Sequence, residues 1–528
     1  MMFSLFFVVF FFGSLELGMR FFAKSKNEYS ELIEQQGFKR NNKKSSEKRI
    51  FVVGESAARG VPYEMNDSFP GFLQKLLNES KNNNIKIINT GVPGRHSFYQ
   101  KEEGRTLINY KADAVIYYAG NNDSRDFSNV MRDVPFAFLD FKLTWNSSFY
   151  SYFKRKIISL KKSVNHLSKK HVFDINYNQD DIWHWTNTYL NKKKSYIENP
   201  ILGMERKMVA TKDYENNLND LTVYLNQRQV KVYVCSLPIV HKAIPGISDW
   251  SRKGYEFKQK VIFSNPNDEK KWWELFNDGT KALNDKNHPD AVQKFEAALK
   301  LNDTYPLLMH NLGLAYEGIG RYEQAKKMFT KGKDAQIQSP GGDSFKSAAL
   351  KRISERNNAV LINVQSALEQ VGEHGIVGMD LFLDHCHPNT LGHKVIAARI
   401  MQSLCETKLA ACDPNANFVY WLEKLLGGKL SPESWAQEYL LTAFYHFNGT
   451  SWNDKPDYQQ TVEYLEKARQ ILPQNKNIYP MLAASYWNLK RIDKAKENLK
   501  ILSTLDSQEY QKTLEEFPYL KELEDVRR

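Results

Sequence analysis

Four short segments carry the side chains whose chemistry stands out. Gly54-Glu55-Ser56 ends in a serine, a poor nucleophile until a base takes its proton. Asp384-His385-Cys386-His387-Pro388 sets a carboxylate three residues before an imidazole. At that spacing Asp384 can hold one ring nitrogen of His387 while the other accepts the serine proton. Asn89-Thr90-Gly91-Val92-Pro93-Gly94 and Gly120-Asn121-Asn122-Asp123 offer hydrogen-bond donors. A glycine of the first of these can present an unhindered backbone N–H to an oxyanion, and Asn122 of the second a side-chain amide. The chemistry of such a set is acyl transfer through a covalent ester. Taken alone, G-x-S after a strand is a common turn or helix cap, and only the other three segments give it weight.

The elements that must position these residues follow from hydrophobic patterning. RIFVVG (49–54), IKIINTG (85–91), DAVIYYAG (113–120), VKVYVCSLP (230–238) and AVLINV (359–364) are short apolar runs that read as buried strands. PGFLQKLLNES (70–80), KDYENNLNDLTVYLNQRQ (212–229) and SFKSAALKRISERNN (344–358) have helical spacing. Strand–helix alternation predicts an α/β fold, a flavodoxin-like parallel sheet with helices on both faces. Ligands of such sheets bind at the carboxyl ends of the strands, where the first three segments fall; the Asp/His segment lies beyond the fifth strand.

The four blocks, in this order, resemble the SGNH (GDSL-type) serine hydrolases over roughly 49–130, 212–240 and 344–405. The resemblance implies that Ser56, Gly94, Asn122 and His387 are catalytic, with Asp384 as partner of the histidine. Ser56, Gly94 and Asn122 would form the oxyanion hole. Glu55 stands where the family usually has aspartate, a position that is not catalytic in the family. G-x-N-D and D-x-x-H-P match fully. No cofactor is implied.

Neighbouring residues take lesser readings. Arg59, one turn after Ser56, could meet an anionic substrate, though a structural or solvent-facing role is the stronger reading. Arg95 and His96 follow Gly94 and are possible substrate contacts. Asp384, His385, Cys386 and His387 are adjacent, and adjacent residues rarely hold one ion well, so no metal is expected. His393 reads as a packing or capping residue and Cys235 as a buried apolar filler. Cys405 and Cys412 are close enough in sequence to be bonded in an oxidising compartment, unless helical continuity holds them apart. Between 140 and 200, aromatic residues such as Trp145 and Phe149 precede Lys154, Arg155 and Lys156. That stretch reads as a helical insertion with a solvated charged face, or as a helix lying on a membrane.

Two stretches repeat with a period of 34: Ala291 and Phe295 recur as Ala325 and Phe329, and Thr461 and Leu465 as Ala495 and Leu499. This period and the A-x-x-x-F spacing resemble tetratricopeptide repeats, a helical architecture that offers concave surfaces to protein partners. The expected organisation is an N-terminal anchor or signal (1–22), a linker (23–48), a first hydrolase part (49–265), inserted repeats (266–338), a second hydrolase part carrying Asp384 and His387 (339–412) and C-terminal repeats (413–528).

At 528 residues the chain exceeds one ordinary domain, and its formal charge is +12. With neither a zinc finger nor an RNA-binding aromatic motif, nucleic acid is not an expected partner. Met1–Gly13 is almost unbroken apolar sequence. It reads as an uncleaved signal-anchor, with a cleaved signal or a buried helix as alternatives. Basic residues after the run, including Arg20, Lys24 and Lys26, would by the positive-inside rule keep that side in the cytoplasm. The expectation is nonetheless a membrane-anchored, exported body. The reading is an esterase that takes an acylated small molecule or polysaccharide as substrate and removes acyl (acetyl) groups from a carbohydrate or other envelope ester. Its rivals are an O-acyltransferase that modifies polysaccharide and a repeat-based protein-binding scaffold.

Overall fold

A computed structural model describes residues 28–80, 82, 84–123, 200–245, 260–337, 341–429, 431–448 and 456–523. The apolar N-terminal run and the aromatic–basic residues expected between 140 and 200 lie outside them. Among the described residues no helix is long and apolar enough to cross a membrane.

Five strands form one parallel sheet: β1 (Lys48–Gly54), β2 (Ile85–Asn89), β3 (Ala114–Tyr118), β4 (Lys231–Cys235) and β5 (Val360–Ile362). Their order is β2-β1-β3-β4-β5, which is the flavodoxin-like order. The fold class is therefore α/β with additional helical repeats, as the alternation of apolar runs predicts. In β1, Ile50 to Gly54 are all buried. A strand covered on both sides needs such a continuous apolar run. Ile50 pairs in register with Ala114, and Ala114 with Lys231.

The chain divides into two compact units. One takes in the chain to Glu55, Gly94–Ile239 and Ile244–Leu361, and the other Ser56–Pro93, Val240–Ala243 and Ile362 onward. The first unit begins with α1 (Glu28–Gln35). This helix lies inside the stretch expected to be a linker; Tyr29 and Ile33 are buried, which gives that stretch an apolar face to pack. Lys43 pairs with Asp113 at 2.6 Å. Arg49 is buried and donates to the carbonyls of Lys39 (2.9 Å) and Tyr110 (3.1 Å), so these basic residues are held by partners. Past β1 comes α2 (Ser56–Arg59), which opens the second unit with α3 (Phe69–Glu79).

The first unit continues with α4 (Ser97–Thr106) and the long α5 (Pro200–Asn226). They cross at Gly104, where a Cβ would lie 2.8 Å from Leu221. The repeat helices follow: α6 (Pro266–Asn284), α7 (His288–Leu301), α8 (Pro306–Gly318) and α9 (Tyr322–Ala335). Their period is visible in the packing. A Cβ on Gly279 of α6 would meet Phe295 of α7 at 2.7 Å, and one on Gly313 of α8 would meet Phe329 of α9 at 2.6 Å. Both partners shift by 34 (313 − 279 and 329 − 295). Each aromatic ring fills the space that a glycine leaves on the preceding helix.

The last repeat helix is tied to α10 (Ser344–Asn357) by buried polar groups. Lys207 of α5 donates to the carbonyl of Asp334 (2.9 Å) and lies 3.4 Å from the Asp343 carboxylate. Asp334 accepts from the backbone N–H (2.9 Å) and hydroxyl (2.6 Å) of Ser344. Removing one partner of a buried ion pair leaves the other uncompensated. Lys207→Met is expected to lower unfolding free energy by about 3 kcal/mol, read as a shift in the denaturant midpoint. An unchanged midpoint would show that the ion pair contributes nothing.

In the second unit, α11 (Val364–Val371), α12 (Thr390–Glu406) and α13 (Phe418–Leu426) follow β5. A second repeat array then runs through α14 (Pro432–Asn448), α15 (Tyr458–Ile471), α16 (Ile478–Asn488), α17 (Ile492–Leu505) and α18 (Ser507–Glu516). Thr461, Leu465, Ala495 and Leu499 are buried, as their period predicts. Tyr486 donates to Glu466 at 2.7 Å, as Tyr316 does to Glu296 at 2.6 Å in the first array. Cys405 and Cys412 are joined by a disulfide.

Candidate active site

Ser56 is the first residue of α2, two positions after Gly54 closes β1. It is 6% exposed. Its short helix ends quickly, because Gly60 and Val61 both donate their N–H to the Ser56 carbonyl at 3.0 Å. The loop after β2 fixes this turn from beside it. Asn89 donates its side-chain amide to the carbonyl of Ala58 (3.0 Å) and accepts from the N–H of Gly91 (2.9 Å). Gly91 passes so close that a Cβ would lie 2.6 Å from the Arg59 nitrogen. Arg59, at the end of α2, is half-buried.

Asp384 and His387 sit on a tight reversal between 381 and 389. Leu383 donates its N–H to the His387 carbonyl (2.8 Å), and Asn389 donates its N–H to Leu381 (2.9 Å). The Asn389 side chain then accepts from the N–H of Gly392 at 2.9 Å and so caps α12, an interaction that contributes about 1 kcal/mol. Within the reversal the N–H groups of Cys386 and His387 both donate to Asp384 Oδ1 at 2.8 Å. Its other oxygen, Oδ2, lies 2.8 Å from His387 Nδ1. His387 Nε2 lies 2.8 Å from the Ser56 hydroxyl. Serine, imidazole and carboxylate therefore form one continuous hydrogen-bonded line inside the second unit.

The charges fit that line. Burial opposes ionisation of Asp384, but the facing imidazoles of His387 and His385 and the donors to its oxygens hold its carboxyl well below the usual range. An ionised carboxylate only accepts, so His387 Nδ1 carries the proton and Nε2 keeps a lone pair for the Ser56 hydroxyl. His393, buried behind, accepts the N–H of Phe69 at 3.2 Å. Burial pushes its imidazole down to about 3, so it stays neutral and serves packing. Asp384, His385 and Cys386 each offer a ligand atom, all within 4.8 Å of one another. Asp384 is already committed to His387 and to two backbone N–H groups, which leaves little of it for an ion.

The other predicted donors belong to the first unit. Gly94 has φ +73°, a left-handed conformation that glycine adopts without strain. Asn122 donates its side-chain amide to the Arg95 carbonyl at 3.3 Å; a second N–H of the same amide is left for another acceptor. Arg95 turns its guanidinium to Glu103 (3.1 Å) and over the ring of Tyr99 (4.8 Å). His96 is half-buried, and desolvation of its ring together with the charge of Arg95 lowers its imidazole to about 3.

Two further carboxyl groups, to which sequence reasoning gave no role, hold the loop that carries Asn122. Glu55, fully buried, accepts the N–H of Gly120 at 3.0 Å and that of Asn122 at 3.2 Å. Asp123 accepts the N–H of Ser97 at 3.1 Å and its hydroxyl at 2.5 Å. Asn217 of α5 donates to that same hydroxyl at 3.0 Å. Their signal in the sequence was position alone: two acidic residues in segments that end at strand termini.

Comparison with known proteins adds the following. A tetratricopeptide repeat family model matches residues 308–336, which fall on α8 and α9. No curated protein matches the chain. Among solved structures, the chain is similar to a GDSL-like lipase from Bacteroides thetaiotaomicron VPI-5482. That likeness has 11% identity and a TM-score of 0.30, and covers 72% of this chain and 98% of the other. At that TM-score it carries no argument about the site.

Proposed function

We propose that this chain is a serine-dependent carboxylic ester hydrolase in which Ser56 is the nucleophile, His387 the general base and Asp384 its orienting partner. The observation that carries this reading is the line from Asp384 Oδ2 to His387 Nδ1 and from Nε2 to Ser56 Oγ, each step 2.8 Å. In the reaction, Ser56 Oγ bonds to the ester carbonyl carbon as its proton passes to His387 Nε2. The carbonyl oxygen becomes an oxyanion. Its donors are taken to be the backbone N–H groups of Ser56 and Gly94 and the Asn122 amide, roles that come from the family resemblance. Collapse of the intermediate breaks the bond to the alcohol, which leaves with the proton from His387. Water then attacks the acyl-serine with His387 again as base, releasing the acid and restoring Ser56.

The substrate is an acyl, acetyl-type ester of a carbohydrate or another envelope component. This rests on the resemblance and on export. Export is supported by the apolar run at 1–13 and by the bond between Cys405 and Cys412, since disulfides persist in oxidising compartments. An alcohol in place of water would make the same site an O-acyltransferase. The repeat arrays offer surfaces for a protein partner.

One experiment tests chemistry and location together. A fluorophosphonate probe is expected to label Ser56, and a charged, membrane-impermeant version is expected to label it in sealed cells. Folded protein that takes no label at Ser56 sinks the hydrolase reading. Labelling only after the membrane is opened sinks the exported body and leaves the chemistry standing.

A further inference from the structure

The loop after β3 is gripped by a carboxyl group that the triad does not use. We propose that Glu55 is a positioning residue: through both carboxylate oxygens it fixes the Gly120–Asn122 backbone so that the Asn122 amide is set for its oxyanion. This inference rests on the hydrolase reading above and deepens it.

The geometry is specific. Glu55 Oε1 accepts the N–H of Gly120 (3.0 Å) and that of Asn122 (3.3 Å), and Oε2 accepts the same Asn122 N–H at 3.2 Å. The loop thus hangs from Glu55, the residue that follows β1. Gly120 has φ +128°, and a Cβ there would lie 2.6 Å from Leu237. The backbone therefore occupies a tight, left-handed place that a neighbouring acceptor has to hold. Asp123 fastens the loop's other end to the start of α4 through Ser97. Asn122 stands between these two anchors, with one amide N–H already on Arg95. A side chain one methylene shorter than glutamate would draw the carboxylate back from these N–H groups. The acidic residue at 55 thus sets the height of the loop above the strand.

The charge state follows from the surroundings. Burial, reinforced by Asp123 nearby, pushes the Glu55 carboxyl up to about 8, while the N–H donors and Lys346 of α10 pull it down. Tyr117 of β3 and Tyr214 of α5 also face it. A protonated carboxyl turns one oxygen into a donor, which opposes an N–H instead of accepting it. The grip is therefore complete only above that value, and it weakens as pH falls through it.

The test is kinetic, on full-length protein with a short-chain ester. At pH well above 8, Glu55→Gln, which mimics the protonated group, is expected to lower kcat about tenfold with KM unchanged, because a displaced oxyanion donor loses transition-state but not ground-state binding. The difference should shrink toward neutral pH, where the wild type loses its own grip. Glu55→Asp keeps a titrating group, so its kcat should stay lower while still rising with pH; this variant serves if the glutamine one does not fold. In an Asn122→Ala background, Glu55→Gln should cost nothing further. Multiplying losses, or a Glu55→Gln enzyme with wild-type kcat at high pH, would overturn the proposal. If Ser56 takes no label and the wild type has no activity, the hydrolase reading fails. Hydrogen exchange then decides the grip by itself: faster exchange of the Gly120 and Asn122 amides in Glu55→Gln supports it, and unchanged exchange refutes it.

Discussion

Replacing Ser56 by alanine is expected to lower kcat for a short-chain ester by about 10⁶-fold, leaving the residual rate that oxyanion donors and binding alone provide. The reason is local. The Ser56 hydroxyl is the atom at the end of the line from Asp384 through His387, and alanine keeps the backbone while removing the bond-forming oxygen. The turn itself does not depend on that hydroxyl. It is held by the Ser56 carbonyl, which accepts from Gly60 and Val61, and by Asn89 at Ala58. Unfolding free energy should therefore change by no more than about 1 kcal/mol, the net worth of one hydrogen bond. The loss should also be saturating. Residues that act as a unit are not additive, so Ser56→Ala/His387→Ala should be no slower than Ser56→Ala. Rates are measured under substrate saturation beside a denaturant melt of each variant. A Ser56→Ala protein that keeps more than a small fraction of wild-type kcat would remove this serine from the chemistry.

The parts legible in the sequence are those that depend on local pattern. β1 is readable because RIFVVG is apolar throughout and ends in glycine, and it is buried along that run. The Asp384–His387 pair is readable because three positions bring a carboxylate and an imidazole together on one turn, and they meet at 2.8 Å. The repeats show themselves by a period of 34, which returns as two equivalent glycine–phenylalanine contacts.

What was not legible depends on which distant loops come together. Glu55 read as an inert departure from a family motif, because nothing local says that its carboxylate reaches Gly120, 65 positions away (120 − 55). Asp123 likewise finds Ser97 only in the folded loop. Arg95 and His96 read as pocket residues by their nearness to Gly94. That nearness does not disclose that Arg95 is engaged by Glu103 and Tyr99, or that desolvation lowers the half-buried His96 imidazole to about 3. The helix at Glu28–Gln35 was hidden in a polar stretch, because two buried side chains, Tyr29 and Ile33, are too few to stand out.

Asp384→Asn is expected to lower kcat by about 10⁴-fold, less than loss of the serine and for a different reason. The N–H groups of Cys386 and His387 both point at Oδ1. An asparagine must place its carbonyl oxygen there, because an amide NH₂ would face two donors. Its NH₂ then falls at the Oδ2 position, against His387 Nδ1. That nitrogen is forced to accept, the ring proton moves to Nε2, and the base no longer has a lone pair for Ser56. The substitution thus keeps the shape and inverts the tautomer. It also removes a half-buried charge that the folded state favours. A carboxyl held below its ordinary value of 3.8 contributes stability that is fully present above that value and is lost as pH falls through the folded one. Wild type should therefore be more stable than Asp384→Asn at neutral pH, and the gap should narrow in acid. Denaturant melts at both pH values, with kcat measured on the folded variant, check the two halves separately. A variant with near wild-type kcat would mean that His387 is oriented by something other than this carboxylate.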